Sequence, residues 1–449
     1  MELTGQTNEA PHYQVDEAAG LGERVRRLRA AAGLSQTELA GGRFSKEYVS
    51  QIERGKTRPT ADTLAWLAER LGADATFLES GVSAVERYRW EAVLARGEAL
   101  VEQHRYPDAA AEFETALSAA RELEATDLIV RGLAGLAWSR HELGELQTAI
   151  DLLVEARSLV EGLRFSDVER ADVLFRLGVC RYKLSSIATA AALLDEALVL
   201  AERSELPCDR LRIEILLWRS RCYRRQRDFL AAREAVGHAL ELADALQHPV
   251  TTANVYFQAS LVAEREGHLG LARSYAEKAR ARYEDMADRT TVGRLLNNIG
   301  AYTHLLGKSE EAVGYLKESI RIFLDEGSDV EAATVVCSLA EIDLEAGRFE
   351  EAESGARKAL ALLDGRLDYL SEIGTAQLAL GRCLVEQNCL DEAQDILRAA
   401  DRSFEQLSSV SHRASAWIAL GDLAHRRDDD REAARLYRKA AEALQDVRF

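Results

Sequence analysis

The sequence predicts an all-α protein, with a small five-helix head over residues 21–80 and an α-solenoid of nine helix pairs over residues 83–449. Three observations carry that reading. Apolar residues make up 47% of the 449-residue chain and there are only five prolines, so helices can run without interruption. A register of small residues returns about every 40 positions from residue 90 onward, which overrides a domain count based on length. Ahead of it, capping residues and glycines divide the chain into short helical segments.

Residues 1–20 hold Gly5, Pro11 and Gly20 among scattered acids and read as a loose tail. They lack the basic start and apolar core of a secretory leader. In the head, Leu21, Val25, Leu28 and Ala32 keep helical spacing until Gly33 stops the first helix. Ser35 opens the second, with Glu38 three residues on as a capping box. Gly41-Gly42 make the turn. Ser45 caps a third helix with Val49 and Ile52 inward and Lys46, Glu47, Ser50, Gln51 and Arg54 outward. Thr60 caps a fourth, burying Leu64, Leu67, Ala68 and Leu71, and Asp74 opens a fifth turn with Phe77 and Leu78.

Charge separates this head from the rest. Residues 21–60 hold nine Lys/Arg against four acids, a local +5, in a chain whose net charge is −18; the remainder therefore sums to −23. An acidic body with a basic head repels nucleic acid everywhere except at the head.

The strings GLSQTELA and VSQIERGKTRPT, in that order, resemble the lambda-repressor-like (Xre) helix-turn-helix family over about residues 21–79. The resemblance implies that Gln36, Ser45, Lys46, Glu47, Ser50 and Gln51 face double-stranded DNA, with Arg54, Lys56 and Arg58 on phosphates. It assigns Arg29 and Glu53 to a structural pair between the first and third helices. Glu47 has two readings: it accepts from a cytosine amino group, or it keeps the helix off wrong sequences. The bland alternative is that this polar face merely solvates an exposed helix. One departure from the family is the Gly-Gly-Arg-Phe turn, about a residue short, with Phe44 as the apolar residue before the cap.

The repeat has three small positions in register. One alanine series runs Ala109, Ala149, Ala190, Ala232, Ala272, Ala312, Ala352, Ala393 and Ala433. Seven residues after each lies Ala116, Ala156, Ala197, Ala239, Ala279, Ser319, Ala359, Ala400 or Ala440. Twelve before lies Gly97, Ala137, Gly178, Ser220, Ser260, Gly300, Ala340, Gly381 or Gly421. Small residues at these points let two antiparallel helices cross closely. Phe113, Leu153, Leu194, Leu316, Leu397 and Tyr437, three before the second series, are expected to fill the gap between the helices. The pattern resembles the tetratricopeptide repeat, with a period of about 40 in place of the usual 34 and therefore longer helices. Its third unit has Ser185-Ser186 where others have a turn glycine, and exposed Arg435, Arg438 and Lys439 are expected to solvate the last helix.

By register, Trp138, Tyr182, Arg221, Asn254, Phe257, Arg294, Asn297 and His304 look onto the inner face of the array. Aromatics with Asn and Arg suit an extended peptide, whose backbone needs amide partners and whose carboxylate needs a cation. The Asn297-Asn298 pair is unusual inside a helix. Its alternative explanation is a hydrogen bond from Asn298 across a helix interface.

A helix-turn-helix head on a repeat array is similar in layout to the peptide-pheromone-responsive regulators. That resemblance implies a transcription regulator, a homodimer with heads about 34 Å apart or a multiple, and a peptide or protein effector. The competing reading is a protein-binding scaffold or antitoxin-like partner with weak or no specific DNA binding. An enzyme is not expected: the nine histidines are scattered, and no phosphate loop, nucleophile turn or metal-ligand spacing is present. No cofactor, metal or catalytic residue is assigned. The six cysteines form no CxxC pair and read as idle thiols of a cytoplasmic protein, and no apolar run is long enough for a membrane.

Overall fold

The structure is a computed structural model that describes residues 20–446 except 82, 124, 162–164, 367 and 408. Of the tail expected over residues 1–20, all but Gly20 lies outside the described residues. Among the described residues there is no strand, and no helix is long and apolar enough to cross a membrane. The chain folds as two compact units, one ending at Cys208 and one starting at Asp209. Each is described by itself.

The first unit opens with five short helices: α1 (Leu21–Ala31), α2 (Gln36–Ala40), α3 (Lys46–Glu53), α4 (Ala61–Leu71) and α5 (Ala75–Ser80). Side-chain caps start four of them. Ser35 accepts the Glu38 amide while Glu38 accepts the Ser35 amide, and Ser45, Thr60 and Asp74 each cap the helix that follows. Those hydroxyl and amide hydrogen bonds from Ser35 hold the Glu38 carboxyl below its usual range. Val25, Leu28, Leu39, Val49, Ile52, Leu64, Leu67, Leu71 and Leu78 form one buried core. Every apolar position expected inside the head except Leu21, Ala32 and Phe77 is buried there. Leu21 and Phe77 pack half-buried on its edge, and Ala32 is exposed beyond the end of α1.

Three helix pairs complete this unit. They are α6 (Ala84–Glu102) with α7 (Tyr106–Glu122), α8 (Thr126–Glu142) with α9 (Leu146–Val160), and α10 (Asp167–Lys183) with α11 (Ile187–Arg203). The second unit has six pairs. α12 (Asp209–Arg225) pairs with α13 (Phe229–Leu246), α14 (Pro249–Arg265) with α15 (Leu269–Asp285), and α16 (Arg289–Leu305) with α17 (Ser309–Asp325). α18 (Asp329–Glu345) then pairs with α19 (Phe349–Leu362), α20 (Leu370–Glu386) with α21 (Leu390–Gln406), and α22 (Val410–Arg426) with α23 (Asp430–Asp446). Within each unit first helices also touch first helices, as α6 touches α8 and α12 touches α14, which makes them the inner layer of an α-solenoid.

The packing explains the register. All nine alanines of the first series are buried. A Cβ built on Gly97 would lie 2.9 Å from the Phe113 ring, and one on Gly300 would lie 2.8 Å from Leu316. The large residue of each second helix thus sits over the small residue of the first. Tyr437 does the same over Gly421, where a Cβ would lie 2.6 Å from its ring, although the side chain is partly exposed and its hydroxyl donates to Asp422 Oδ1 at 2.7 Å. Arg435, Arg438 and Lys439 of α23 are exposed.

The turn inside each pair places one residue in the left-handed region. Gly144, Gly267, Gly307 and Gly347 do so at φ 74–83° without a Cβ penalty, whereas His104, Ser185, Arg227, Asn388 and Asp428 reach the same region at φ 57–63° with a side chain. The missing glycine at Ser185 therefore changes the cost of the turn and leaves it in the same left-handed region.

Candidate nucleic-acid interface and repeat face

α3 presents the candidate reading surface. The Ser45 hydroxyl accepts the Tyr48 amide at 3.1 Å and starts the helix. Val49 and Ile52 are buried in the head core, which leaves Lys46, Glu47 and Gln51 exposed and Ser50 half-buried beside them. Arg54 is exposed at the end of α3, and Gly55, at φ 68°, turns the chain so that exposed Lys56 and Arg58 follow in the loop. Gln51 Oε1 accepts from the Thr57 hydroxyl at 3.1 Å, bracing the amide against that loop. Arg58 meets Glu79 at 3.5 Å, an exposed pair that a phosphate can outcompete.

Gln36 is placed differently from its neighbours. Its Nε2 donates to Glu53 Oε2 at 2.7 Å, in the same cluster where Arg29 Nε donates to Glu53 Oε1 at 2.6 Å. Arg29 also donates to the Leu34 carbonyl at 2.8 Å. The Arg29–Glu53 pair thus joins α1 to α3, and Gln36 has to leave a hydrogen bond before its amide nitrogen reaches a base.

Gly41 and Gly42 both have positive φ, 56° and 75°. Phe44 packs edge-on to Trp66 with ring centroids 5.2 Å apart, and against Tyr48 at 5.3 Å. A Cβ on Gly41 would meet the Arg70 guanidinium at 2.9 Å and Trp66 at 3.1 Å. The short turn is therefore seated on α4 through aromatic and guanidinium contacts.

The positions expected on the inner face fall in both units. In the first, Trp138 stacks on His141 at 4.9 Å under the Arg176 guanidinium, and Tyr182 is half-buried on α10. In the second, Arg221 lies 4.1 Å over the Trp218 ring, Asn254 Oδ1 accepts from the Tyr283 hydroxyl, and Phe257 packs on the core of α14–α16. Arg294 pairs with Glu331 at 3.3 Å, and His304 bonds Ser309 at 2.9 Å and Glu345 at 3.0 Å. Asn297 has a buried Oδ1 without a hydrogen-bond partner.

Residues 20–79 match the family described as a helix-turn-helix domain, and residues 291–364 match the tetratricopeptide repeat. Over 53 residues, 12% of this chain, it is 45% identical to the uncharacterized HTH-type transcriptional regulator y4dJ of Sinorhizobium fredii, spanning 69% of that protein. The chain belongs to the helix-turn-helix transcriptional regulators. As such a regulator it combines a DNA-binding head with a repeat domain of the protein-binding kind, and the families matched are not enzymes. The regulator's fold is similar to the apo form of RapI, with a TM-score of 0.65 at 12% identity over 80% of this chain and 98% of that one. It is also similar to a Rap protein complexed with competence and sporulation factor, with a TM-score of 0.50 at 18% identity over 79% and 99%. At these identities the likeness is one of fold.

Three features of the regulator are absent from the sequence reading. Trp66 and Arg70 support the turn; their spacing of four on a helix is the signal that they share a face. Asp74 does more than cap α5: Oδ1 accepts the Thr76 amide at 2.9 Å while Oδ2 accepts the Ala84 amide at the start of α6 at 2.6 Å. Glu214 shares the register of Asn254 and Arg294 at 40-residue spacing. Burial pushes its carboxyl up, against the pull of Arg221 and Arg210.

Proposed function

We propose that this regulator reads a two-fold DNA site as a homodimer and binds a peptide or protein effector on the inner face of its repeats. The DNA half rests on the exposed Lys46, Glu47 and Gln51 of α3, within a head whose residues 21–60 carry a local +5. Residues 21–80 act as the reader: Lys46, Glu47, Ser50 and Gln51 meet base edges, with Gln36 joining them if it leaves Glu53. Ser45, Arg54, Lys56 and Arg58 hold the phosphates. Residues 83–449 act as the receiver, and the protein works in the cytoplasm.

The effector half is supported by Asn297, whose buried acceptor an N–H of an extended peptide would satisfy. Within the same second unit Phe257 offers apolar contact, Arg221 and Arg294 a cation for a carboxylate, and Asn254 and His304 further polar contacts, while Trp138 and Tyr182 offer apolar contact within the first unit. The similarity of fold to a Rap protein complexed with a factor is an analogy in the same direction.

Fluorescence anisotropy on fragments of the protein's own promoter, across a salt series, tests the reader. Affinity should fall steeply with salt, and Lys56→Ala should reduce the logarithmic slope by about 0.9. Gln51→Ala should relax discrimination at one base pair by about 1–3 kcal/mol. Binding that ignores both salt and Lys56 would instead favour the scaffold or antitoxin-like reading, to which the intrachain bonds of Gln36 and Gln51 lend support. Native mass spectrometry of protein taken from its source cells tests the receiver: a bound peptide or partner supports it, and a persistently empty chain counts against it.

A further inference from the structure

α6 has two apolar faces. One faces the protein through Leu94 and Gly97, which are buried against the rest of the first pair. The other carries Val85, Tyr88, Ala92, Ala95 and Ala99, all exposed and spaced three and four residues apart in turn. Val85 and Tyr88 are 79% and 69% exposed, more than any other exposed large apolar side chain among the described residues. Alternate spacings of three and four put these five residues in one line along a helix, the seam by which two helices pack side by side. A helix with apolar residues on opposite faces is one that expects neighbours on both.

The residues beside the seam say which neighbour. Arg89 and Arg96 border one edge, and Glu91 and Glu98 border the other. Two identical helices packed in parallel set the basic edge of each against the acidic edge of its partner. Packed antiparallel, they set like against like. Parallel packing also places the start of both α6 helices, and with them both heads, at the same end of the pair. The Asp74 bond to the Ala84 amide ties the head to that end. Two heads at one end of the pair suit a two-fold DNA site, and the opposed charges along the edges are what select the parallel arrangement.

We propose that α6 is the dimer interface, with a second copy of this chain packed in parallel along Val85, Tyr88, Ala92, Ala95 and Ala99. This rests on the proposed reading of the protein as a dimeric DNA reader and assigns the surface that makes the dimer. The seam is narrow and lined by alanines along most of its length, so the two helices approach closely. Glu91 of each copy then exchanges its intrachain Arg87, 2.8 Å away, for Arg96 of the other. Arg96 in turn leaves Glu112, to which it bonds at 2.6 Å in the isolated chain.

Sedimentation equilibrium on the full chain tests this. Tyr88→Arg should raise the dimer dissociation constant by about tenfold or more, because it puts a charge into the seam. Glu91→Arg should weaken the dimer, and Glu91→Arg with Arg96→Glu should restore it. With Cys208 and Cys389 replaced by serine, Ala99→Cys chains should join to each other on oxidation, since parallel copies meet at the same position. A wild-type chain that stays monomeric overturns the proposal. So does a dimer that ignores Tyr88→Arg, as expected if residues 1–19 cover the seam or copies pair elsewhere. An Ala99→Cys chain that joins only to a Val85→Cys chain overturns the parallel arrangement. Anisotropy on promoter DNA, run beside these, is an independent readout: a dimer through α6 that binds no DNA leaves this interface standing and removes the reader.

Discussion

Glu53 and Arg29 form a largely buried ion pair at 2.6 Å that links the reading helix α3 to α1, and Gln36 of α2 donates to the same carboxylate. Three of the head's helices therefore converge on one side chain. Removing it strands a guanidinium in a site with little water, the situation in which a broken buried pair is most costly. Glu53→Ala should destabilise the head by about 3–5 kcal/mol. Hydrogen exchange should show amides of α1 to α3 losing protection while those of α16 to α21 keep theirs. Uniform loss throughout the chain would contradict the local account.

Asp74 is the corresponding element at the junction of head and repeats. One carboxylate oxygen holds the Thr76 amide and the other the Ala84 amide, so α5 and α6 share a cap. Arg24 reinforces the same end of the head by donating to the Leu78 carbonyl at 3.1 Å and the Glu79 carbonyl at 2.8 Å. Asp74→Ala removes the shared acceptor but leaves the core residues in place. Spin labels on α4 and α8 should then give a broader distance distribution than in the wild type. An unchanged distribution would mean that the cap does not orient the head.

The parts of this fold that could be read in advance are those fixed by local or periodic constraints. The alanine at every 40th position is legible because only a small side chain fits where two helices cross, and each one is buried. Caps at Ser35, Ser45, Thr60 and Asp74 are legible because the hydroxyl or carboxylate lies two or three residues from the amide it serves. What escapes is partnership at a distance. Nothing near Gln36 in the sequence announces that Glu53, 17 residues away, takes its amide. Nor does Arg294 reveal Glu331, or His304 reveal Glu345, since these pairs cross from one repeat to the next. The register assigns these residues to one face of the array, but it carries no information on how many are already engaged with neighbouring repeats.

Close packing between helices gives a sharp test at Gly300. A methyl group there would lie 2.8 Å from Leu316 Cδ2, and Leu316 is fully buried. Gly300→Ala gains helix propensity but forces the crossing apart, at a cost of about 1–3 kcal/mol. Pairing it with Leu316→Ala removes the clash, so the double variant should lose less than the sum of the two single losses. Strict additivity in chemical denaturation would show that the two positions do not press on each other.

Arg227 holds the same left-handed turn as Gly267 one repeat later, at φ 63° against 80°. Its Cβ makes that conformation unfavourable by about 1–2 kcal/mol, less what glycine loses in the unfolded chain. Arg227→Gly should therefore stabilise the second unit by about 0.5–1 kcal/mol, seen as a higher unfolding midpoint. A lower midpoint would mean that contacts of the Arg227 side chain outweigh the backbone term.

Glu214 makes a prediction about pH. Burial raises its carboxyl in the folded protein, while in the unfolded chain it ionises near the ordinary value of about 4.3. Between those two points the folded state holds a proton that the unfolded state has released, so stability falls as pH rises. The contribution is complete below the unfolded value and lost as pH climbs through the folded one. Glu214→Gln keeps the shape and removes the titration. It should be more stable than the wild type at neutral pH and no more stable at pH 4, with the difference opening between. Arg221 works against this, because a charged Glu214 attracts it and a glutamine does not. If Glu214→Gln is less stable than the wild type at neutral pH, that attraction outweighs burial, and the carboxylate is ionised in the folded protein.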